Sequence, residues 1–281
     1  MKSLHDVPAP AKLNLFLHIT GQRPDGYHLL QSVFMLIDWC DTLHFEKRPG
    51  GAISREDLSL KLPDDDLITR AAKLLQHHTG CDLGAHIAID KQIPAQAGMG
   101  GGSSDAASTL LALNRLWDLK LSLSTLAKLG LQLGADVPFF LSGHNAWVEG
   151  IGEKISPVEL PSARFWVIKP AAGIETAQIF KHPMLERATK PAIVSDFAAG
   201  PFGFGHNDLQ PVAQALCHDV SKALEVLSNA GMNGKMTGSG SAVFAHCTTG
   251  MVPSALPNHW QMRQCSNLEV HPLNGWATSE S

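Results

Sequence analysis

A glycine-rich stretch at residues 93–107, IPAQAGMGGGSSDAA, has the composition of a phosphate-binding loop. Glycine has no Cβ, so such a loop can adopt positive φ angles and bring its backbone N–H groups close to a bulky anion. Ser103, Ser104 and Asp105 follow as candidate N-caps of a helix, whose N-terminus carries unpaired N–H groups and about half a positive charge. The stretch therefore predicts a site for nucleotide phosphates. The alternative is a flexible turn between a strand and a helix.

The loop differs from two widespread phosphate-binding motifs. No Gly-Lys-Ser/Thr sequence ends it, as in a P-loop, and Ser103 stands where the dinucleotide fingerprint has its third glycine. Residues 86–90 alternate between polar and apolar, as a half-buried strand does, and from Asp105 onward apolar residues recur at helical spacing. We therefore expect the loop to join a strand to a helix.

A second candidate group is Asp136, a single carboxylate among apolar residues in the sequence GADVPFF at residues 134–140. Burying an ionised carboxylate is costly unless a cation or hydrogen bonds hold it, so Asp136 is expected to have a partner. The residues alone are equally consistent with a catalytic group and with a hydrogen-bonded Asp-Val-Pro turn.

Near the start of the chain, residues 10–20 alternate strictly between apolar and mixed positions and predict a strand. One face carries Lys12, Asn14, Phe16 and His18. From position alone this face is expected to be exposed to solvent, with Lys12 an ordinary surface lysine.

Length and composition narrow the class of protein. A chain of 281 residues is expected to form two domains, and its net charge of −4 gives no basic surface for nucleic acid. Charged residues interrupt every long apolar run, and the first residues lack the apolar core of a signal peptide, so no membrane segment is expected. The five cysteines have no metal-ligand spacing and suit a reducing compartment, which favours the cytoplasm.

Periodicity and turn residues predict the remaining elements. Strands are expected at residues 32–37, 42–46, 165–168 and 268–271, and helices at 67–75, 124–133, 175–180, 209–228 and 253–262. A second glycine loop at residues 235–245 leads into a strand, which completes a β-α-β-β-α-β pattern. The Gly/Pro/Ser-rich residues 150–162 suggest a boundary between domains at 1–155 and 156–281.

Five motifs together resemble the GHMP kinase superfamily and, within it, the 4-diphosphocytidyl-2-C-methyl-D-erythritol kinases. The motifs occur in family order along nearly the whole chain and read PAKLNL from Pro10, PDGYH from Pro24, AGMGGGSSD from Ala97, GADVP from Gly134 and TGSG from Thr237. The resemblance implies an α+β fold of two domains. The N-terminal domain would be related to domain 2 of ribosomal protein S5, the C-terminal domain would be ferredoxin-like, and the active site would lie between them.

The resemblance also implies a reaction, in which ATP phosphorylates the 2-hydroxyl of 4-diphosphocytidyl-2-C-methyl-D-erythritol on the non-mevalonate route to isoprenoid precursors. Asp136 would be the catalytic base and Lys12 its neighbour. Lys12 would keep Asp136 ionised and offset charge on the transferring phosphoryl group.

The other implied roles concern ligands. Ser104 is a candidate for holding Mg²⁺ through its hydroxyl. The implied substrate contacts are Asn14, Tyr27, His28, Asp136, Thr176 and Phe180. The implied ATP contacts are Asp66, Leu67, Ile68, Lys91, Pro94, Ala95, Gln96, Ala97, Gly98, Met99, Gly100, Gly101, Gly102, Ser103 and Ser104. The partner would be a small molecule that carries a cytidine diphosphate, and the protein a monomer or weak homodimer.

Three places depart from the family pattern. Asp66 stands where an asparagine is usual, Met99 replaces a leucine, and residues 188–205 align poorly. Two other functions remain compatible with the motifs. Another small-alcohol kinase of the superfamily would share the glycine loop and Asp136, and a non-catalytic nucleotide-binding module would need only the loop.

Overall fold

The fold is described from a computed structural model that covers residues 1–247, 250, 252–254 and 256–278. The first group of elements comprises β1 (Ser3–Gln22), β2 (His28–Arg48), β3 (Ile53–Asp57), α1 (Leu67–Thr79), β4 (Gly84–Asp90), α2 (Gly101–Leu116), α3 (Leu123–Leu133), α4 (Val137–Ser142), β5 (Ala146–Gly150) and β6 (Lys154–Pro157). The second group comprises β7 (Arg164–Lys169), α5 (Thr176–Lys181), α6 (Val194–Ala198), α7 (Gln210–Leu216), α8 (His218–Asn229), β8 (Lys235–Met236), β9 (Val243–His246) and β10 (Gln261–Ser266).

The first group forms a six-stranded sheet with helices packed against it. The order is β3-β4-β2-β5-β6, and β1 also pairs with the long central strand β2. Only the β3–β4 pair is parallel. Apolar side chains from β2, β4 and helices α1 to α4 form one buried cluster, to which Phe45, Ile87, Leu110, Leu113 and Phe139 belong. This sheet and its helices support the glycine loop, which runs from β4 to α2.

The second group forms a four-stranded antiparallel sheet in the order β10-β7-β9-β8. In chain order this is 4-1-3-2, the arrangement of a ferredoxin-like sheet. Helices α7 and α8 bury Val212, Val220 and Leu227 in a cluster with Ile168 and Val243 of the sheet. The α+β, two-domain fold expected from the motifs is confirmed.

Strand β1 lies between the two groups, and the prediction of a solvent-exposed polar face was wrong. Lys12 is 3% exposed, and Asn14 and Phe16 are also buried. Segments of the second group cover this face: Thr237 Oγ1 accepts from Asn14 N at 2.9 Å, and His206 O accepts from Leu17 N at 2.9 Å. Lys12 therefore lies inside the protein rather than on its surface.

The structure divides two predicted regions differently from the sequence prediction, one in the first sheet and one in the helices of the second group. The strands expected at 32–37 and 42–46 are one strand, β2, since the intervening Asp41 is buried and its carboxylate accepts from the N–H groups of Gln92 and Ile93 at 2.6 and 2.7 Å. The helix expected at 209–228 is two helices, because Cys217 has extended backbone angles (φ −141°, ψ 100°).

The end of the chain also differs from the prediction. The described residues between 253 and 260 form no helix, residue 255 lies outside the described residues, and the last strand is β10 rather than residues 268–271. Residues 261–266 form the strand because pairing with β7 provides hydrogen-bond partners for their backbone N–H and C=O groups. Residues 267–278 return to the first group, where Leu273 is buried in the core and His271 N donates to Gly143 O at 2.8 Å.

The division after residue 155 falls within β6, which pairs with β5 of the first sheet. The first sheet therefore extends two residues beyond that point. Among the described residues, none of the helices has both the length and the apolar character needed to cross a membrane.

Candidate active site

A cavity of about 890 Å³ lies between the two groups of elements and contains most of the predicted site. Residues 94–103 of the glycine loop line it, together with Lys12, Asn14, Asp136 and Thr176. A second cavity of about 650 Å³ adjoins it, and Leu30, Ile151, Ala177 and Phe180 line both. Tyr27 and His28 line only the second cavity. The two cavities thus share part of their walls and bring the predicted ATP-binding and substrate-binding residues side by side.

The glycine loop has positive φ angles at two of its glycines, 72° at Gly98 and 71° at Gly100. Gly98 packs directly on the second glycine loop, because a Cβ at this position would lie 2.2 Å from Thr237 O. Hydrogen bonds from Ser241 N to Gln96 O (3.0 Å) and from Ala242 N to Ala97 O (3.2 Å) join the same two loops. Each loop therefore holds the other in place.

Helix α2 begins at Gly101, four residues earlier than the apolar periodicity suggested. Its N-cap is Gly100, which offers no side-chain cap, so the prediction that Ser103, Ser104 or Asp105 caps the helix was wrong. Those three residues lie instead within the first turn and a half, and Gly101 and Gly102 line the cavity. The first N–H groups of an α-helix have no intrahelical acceptor and can bind an anion.

Lys12 and Asp136 lie together at the edge of the glycine loop. Lys12 Nζ is 3.7 Å from Asp136 Oδ2, 4.5 Å from the centre of the Phe34 ring, and donates to Asn14 Oδ1. Strand β1 fixes Lys12, whose N–H donates to Met99 O at 2.9 Å, and Asp136 immediately precedes α4. Burial lowers the pKa of Lys12, and the charge of Asp136 opposes that shift. The partner expected for Asp136 is therefore present.

The second glycine loop supplies cavity-lining residues that the site prediction omitted. Gly238, Ser239 and Gly240 line the large cavity, and Ser239 Oγ lies 2.7 Å from Thr176 Oγ1 at the start of α5. The TGSG motif was the signal that could have identified them. Thr237 anchors this loop to β1, since its Oγ1 also donates to Asn14 Oδ1 at 3.3 Å.

Lys91 lies beneath the glycine loop, and its ammonium group is held by two carboxylates. Nζ donates to Asp41 and, at 2.7 Å, to Asp105 Oδ2. Burial raises the pKa of Asp105 to about 8, because Lys91 only partly offsets desolvation and Asp41 adds a second negative charge. Lys91 lines the cavity, but its ammonium group is already bound by the side chains of Asp41 and Asp105.

Three predicted ATP contacts do not line the cavity. Asp66 is the N-cap of α1: its carboxylate accepts from Ile68 N and Thr69 N at 2.6 and 3.1 Å and pairs with Arg55. Ile68 is 1% exposed in the apolar core, and Ser104 is fully buried in α2. Leu67 does line the cavity, where Leu62 joins it.

Three of the implied substrate contacts, Tyr27, His28 and Phe180, line the second cavity. Tyr27 is 61% exposed, whereas the rings of His28 and Phe180 pack against each other in a tilted arrangement, with their centres 5.1 Å apart and 34° between their planes. Arg187, which sequence reasoning did not select, lines the same cavity and donates from Nε to His28 Nε2 at 3.3 Å.

The described residues contain no cluster of three or more His, Cys, Asp or Glu that could hold a metal ion. Mg²⁺ is usually held by one or two carboxylates together with substrate phosphates, so a magnesium ion that binds with ATP needs no such cluster. The buried Ser104 Oγ has no hydrogen-bond partner within the described chain, and the adjacent Ser103 lines the cavity. An unpartnered hydroxyl oxygen at this position fits Mg²⁺ as a ligand.

Comparison with known proteins agrees with this geometry. Residues 66–144 match the model of the GHMP kinases N terminal domain, and residues 194–261 match that of the GHMP kinases C terminal domain. The chain is 65% identical over 280 residues to the 4-diphosphocytidyl-2-C-methyl-D-erythritol kinase of Albidiferax ferrireducens, with 100% of this chain and 98% of the relative covered.

Two further relatives lead to the same family. The kinase of that name from Variovorax paradoxus is 63% identical over 296 residues, with 99% of this chain and 100% of the relative covered. A crystal structure of 4-(cytidine 5'-diphospho)-2C-methyl-D-erythritol kinase superposes with a TM-score of 0.76 at 28% identity, and covers 94% of this chain and 98% of that one. The chain therefore belongs to the 4-diphosphocytidyl-2-C-methyl-D-erythritol kinases, within the GHMP kinases.

Proposed function

We propose that the protein transfers the γ-phosphoryl group of ATP to the 2-hydroxyl of 4-diphosphocytidyl-2-C-methyl-D-erythritol, in the non-mevalonate route to isoprenoid precursors. The observation that carries the proposal is the Lys12–Asp136 pair, which lies in one cavity with the glycine loop and next to the cavity of His28 and Phe180. A phosphate site and a base thus lie next to an aromatic slot, by which we mean the part of the second cavity between His28 and Phe180.

The glycine loop and the first turn of α2 would bind the phosphates of ATP. Backbone N–H groups at Gly101 and Gly102 attract anions, and the helix dipole favours negative charge at the same place. Leu62 and Leu67 would contact the adenine through their apolar side chains. Lys91 would support the loop from below, because its charge is already paired.

Asp136 would act as the general base. At 31% side-chain exposure it can reach a bound hydroxyl, accept its proton as the oxygen attacks the γ-phosphorus, and so release ADP and the 2-phosphate. Lys12 would stabilise the negative charge that spreads over the transferring phosphoryl oxygens. Asn14 fixes Lys12 by accepting from its ammonium group.

Mg²⁺ would be held by ATP oxygens together with Ser104, and when bound it would neutralise charge on the β- and γ-phosphates. Phe180, His28 and Tyr27 would hold the cytosine, and Thr176 would contact the diphosphate. We expect the protein to act as a monomer or weak homodimer. The five cysteines form no disulfide bonds with one another, which suits the reducing cytoplasm.

The test is a coupled assay of ADP release with the purified protein, ATP and Mg²⁺, on a panel of alcohols. The panel contains the cytidine-linked tetrol, its uridine analogue, homoserine and mevalonate. Turnover concentrated on the cytidine-linked compound supports the proposal. Turnover on another alcohol alone would indicate a different small-alcohol kinase, and tight ATP binding without any turnover would indicate a nucleotide-binding module.

A further inference from the structure

Arg187 ties together the two walls of the cavity that contains His28 and Phe180. Its Nε donates to His28 Nε2 at 3.3 Å, Nη1 donates to Leu185 O at 3.0 Å, and Nη2 donates to Phe180 O and His182 O at 3.3 and 2.9 Å. His28 begins β2, whereas the three carbonyls belong to α5 and the turn after it. One side chain thus joins the first sheet to α5 across the slot.

These hydrogen bonds occupy four of the five N–H groups of the guanidinium. One N–H remains for a ligand. The position of Arg187 therefore suits a residue that acts through its neighbours better than one that binds a substrate itself.

The bond to His28 determines where the imidazole proton lies. A guanidinium has only donors and stays protonated, so Nε2 of His28 must accept with its lone pair. The ring is then neutral and carries its proton on Nδ1. Within the described chain Nδ1 of His28 has no hydrogen-bond partner, which leaves an N–H donor available at the edge of the slot. Burial and the charge of Arg187 lower the pKa of His28, in agreement with a neutral ring.

We propose that Arg187 is a positioning residue for the pyrimidine: it holds His28 against Phe180 as the Nδ1-protonated tautomer, and this N–H donates to an acceptor on the base. The proposal rests on the proposed function. Cytosine has an unprotonated N3 that accepts such a bond, whereas N3 of uracil carries a hydrogen. A fixed donor at Nδ1 therefore favours cytosine, because uracil would leave two donors facing each other.

The first experiment needs no substrate. Long-range ¹H–¹⁵N NMR spectra of the histidine rings report the tautomer, and the His28 signals are those missing from His28→Gln. In the parent at pH 7 we expect Nε2 unprotonated and Nδ1 protonated. In Arg187→Met, which keeps length but has no donor, we expect a tautomer mixture and a pKa that rises toward about 6.5. Arg70→Met, on the exposed face of α1, is the control and should change neither.

The second experiment is kinetic. Arg187→Met should raise the KM of the cytidine substrate about tenfold, leave the KM of ATP within about twofold, and reduce the preference for the cytidine over the uridine compound about tenfold. Below pH 7 the KM of the cytidine substrate should fall toward the parent value in the variant, because a protonated His28 carries a hydrogen on Nδ1 as well as on Nε2. Arg187→Lys, which keeps the charge and an N–H donor group, should recover part of the preference.

The outcomes separate the two proposals. A parent protein that does not phosphorylate the cytidine compound refutes the proposed function, and the NMR spectra then still decide the tautomer. A parent in which His28 carries its proton on Nε2 overturns the inference, even where Arg187→Met fails to fold. An unchanged cytidine preference in a folded Arg187→Met variant overturns it as well.

Discussion

The ammonium group of Lys12 lies 3.7 Å from the carboxylate of Asp136, but the two side chains differ in exposure, 4% for the lysine and 31% for the aspartate. Burial disfavours the charged lysine, and the nearby carboxylate favours it. The dependence is therefore mutual: Asp136 helps Lys12 to stay protonated, and Lys12 provides the partner that a carboxylate among apolar residues requires.

Replacement of Asp136 by asparagine should abolish most of the turnover and leave the fold intact. An amide cannot accept the proton of the attacking hydroxyl, and loss of a general base typically lowers rates by about 10² to 10⁴. The side chain is partly exposed, so the circular dichroism spectrum and the Kd of ATP should be close to those of the parent. A kcat within tenfold of the parent value would contradict the role of Asp136.

The turnover number should decrease at alkaline pH before an ordinary lysine would titrate. Burial lowers the pKa of Lys12, so the charged form exists below a pKa that is itself below the usual value of about 10.4, and activity is lost as pH rises through it. The measurement is kcat from pH 7 to pH 10.5. Protein returned to pH 7.5 must regain full activity, since a permanent loss would indicate unfolding instead.

Gly98→Ala should weaken ATP binding and lower the melting temperature. The residue has φ of 72°, which costs an L-residue about 1 to 2 kcal/mol, and the new Cβ would lie 2.2 Å from Thr237 O. Gly102→Ala is the matched control for stability, because its Cβ would meet only Leu67 at 3.5 Å and its φ is not positive. Equal melting temperatures for the two variants would show that the loops are not packed as described.

Tyr27→Ala and Phe180→Ala should each raise the KM of the cytidine substrate and leave the KM of ATP nearly unchanged. Stacking of a base on an aromatic ring contributes about 1 to 3 kcal/mol. The effect should be larger for Phe180, which already packs against His28, than for Tyr27, which is 61% exposed. The measurement is the KM of each substrate at a saturating concentration of the other. A parallel rise in both KM values would indicate a general loss of structure instead.

The free energy of unfolding of Asp105→Asn, measured relative to that of the parent, should increase as pH rises from about 4 to 8. The folded parent keeps a proton on Asp105 up to about pH 8, whereas the unfolded chain releases it near pH 4, so the parent loses stability across this window. The amide of the variant does not titrate, so it causes no such loss of stability between about pH 4 and pH 8. Urea unfolding at pH 5, 6.5 and 8 measures the difference, and parallel curves for the two proteins would contradict it.

Asp41→Asn is the companion variant for that comparison. Asp41 accepts from two backbone N–H groups and from Lys91, so its replacement should destabilise the protein at every pH. Its negative charge also contributes to the raised pKa of Asp105, so the loss of stability between about pH 4 and pH 8 should be smaller in this variant than in the parent.

Local signals predicted the elements that carry the chemistry. The glycine spacing and the change of period at Asp105 predicted a strand, a loop and a helix, and the structure has β4, the loop and α2 in that order. The start of α2 was misplaced because Gly100 is an unusual N-cap and the serines after it are good ones.

Contacts between distant segments could not be read from the sequence. Alternation along β1 gives two faces but does not show that Thr237 and His206 cover the polar one. Similarly, the apolar stripe through Val212 and Val220 continues across Cys217, so periodicity alone suggests one helix. Arg187 carries no local signal, because its role depends on a histidine 159 residues away.

The return of residues 267–278 to the first sheet affects how the protein can be made. Leu268 N donates to Leu36 O at 2.9 Å, and Arg115 lies over the ring of Trp276 at 4.7 Å. These contacts join the last described segment to elements that a ribosome delivers much earlier. The first sheet and its helices can begin to fold during translation, but their packing is completed only after residues 267–278 have left the exit tunnel.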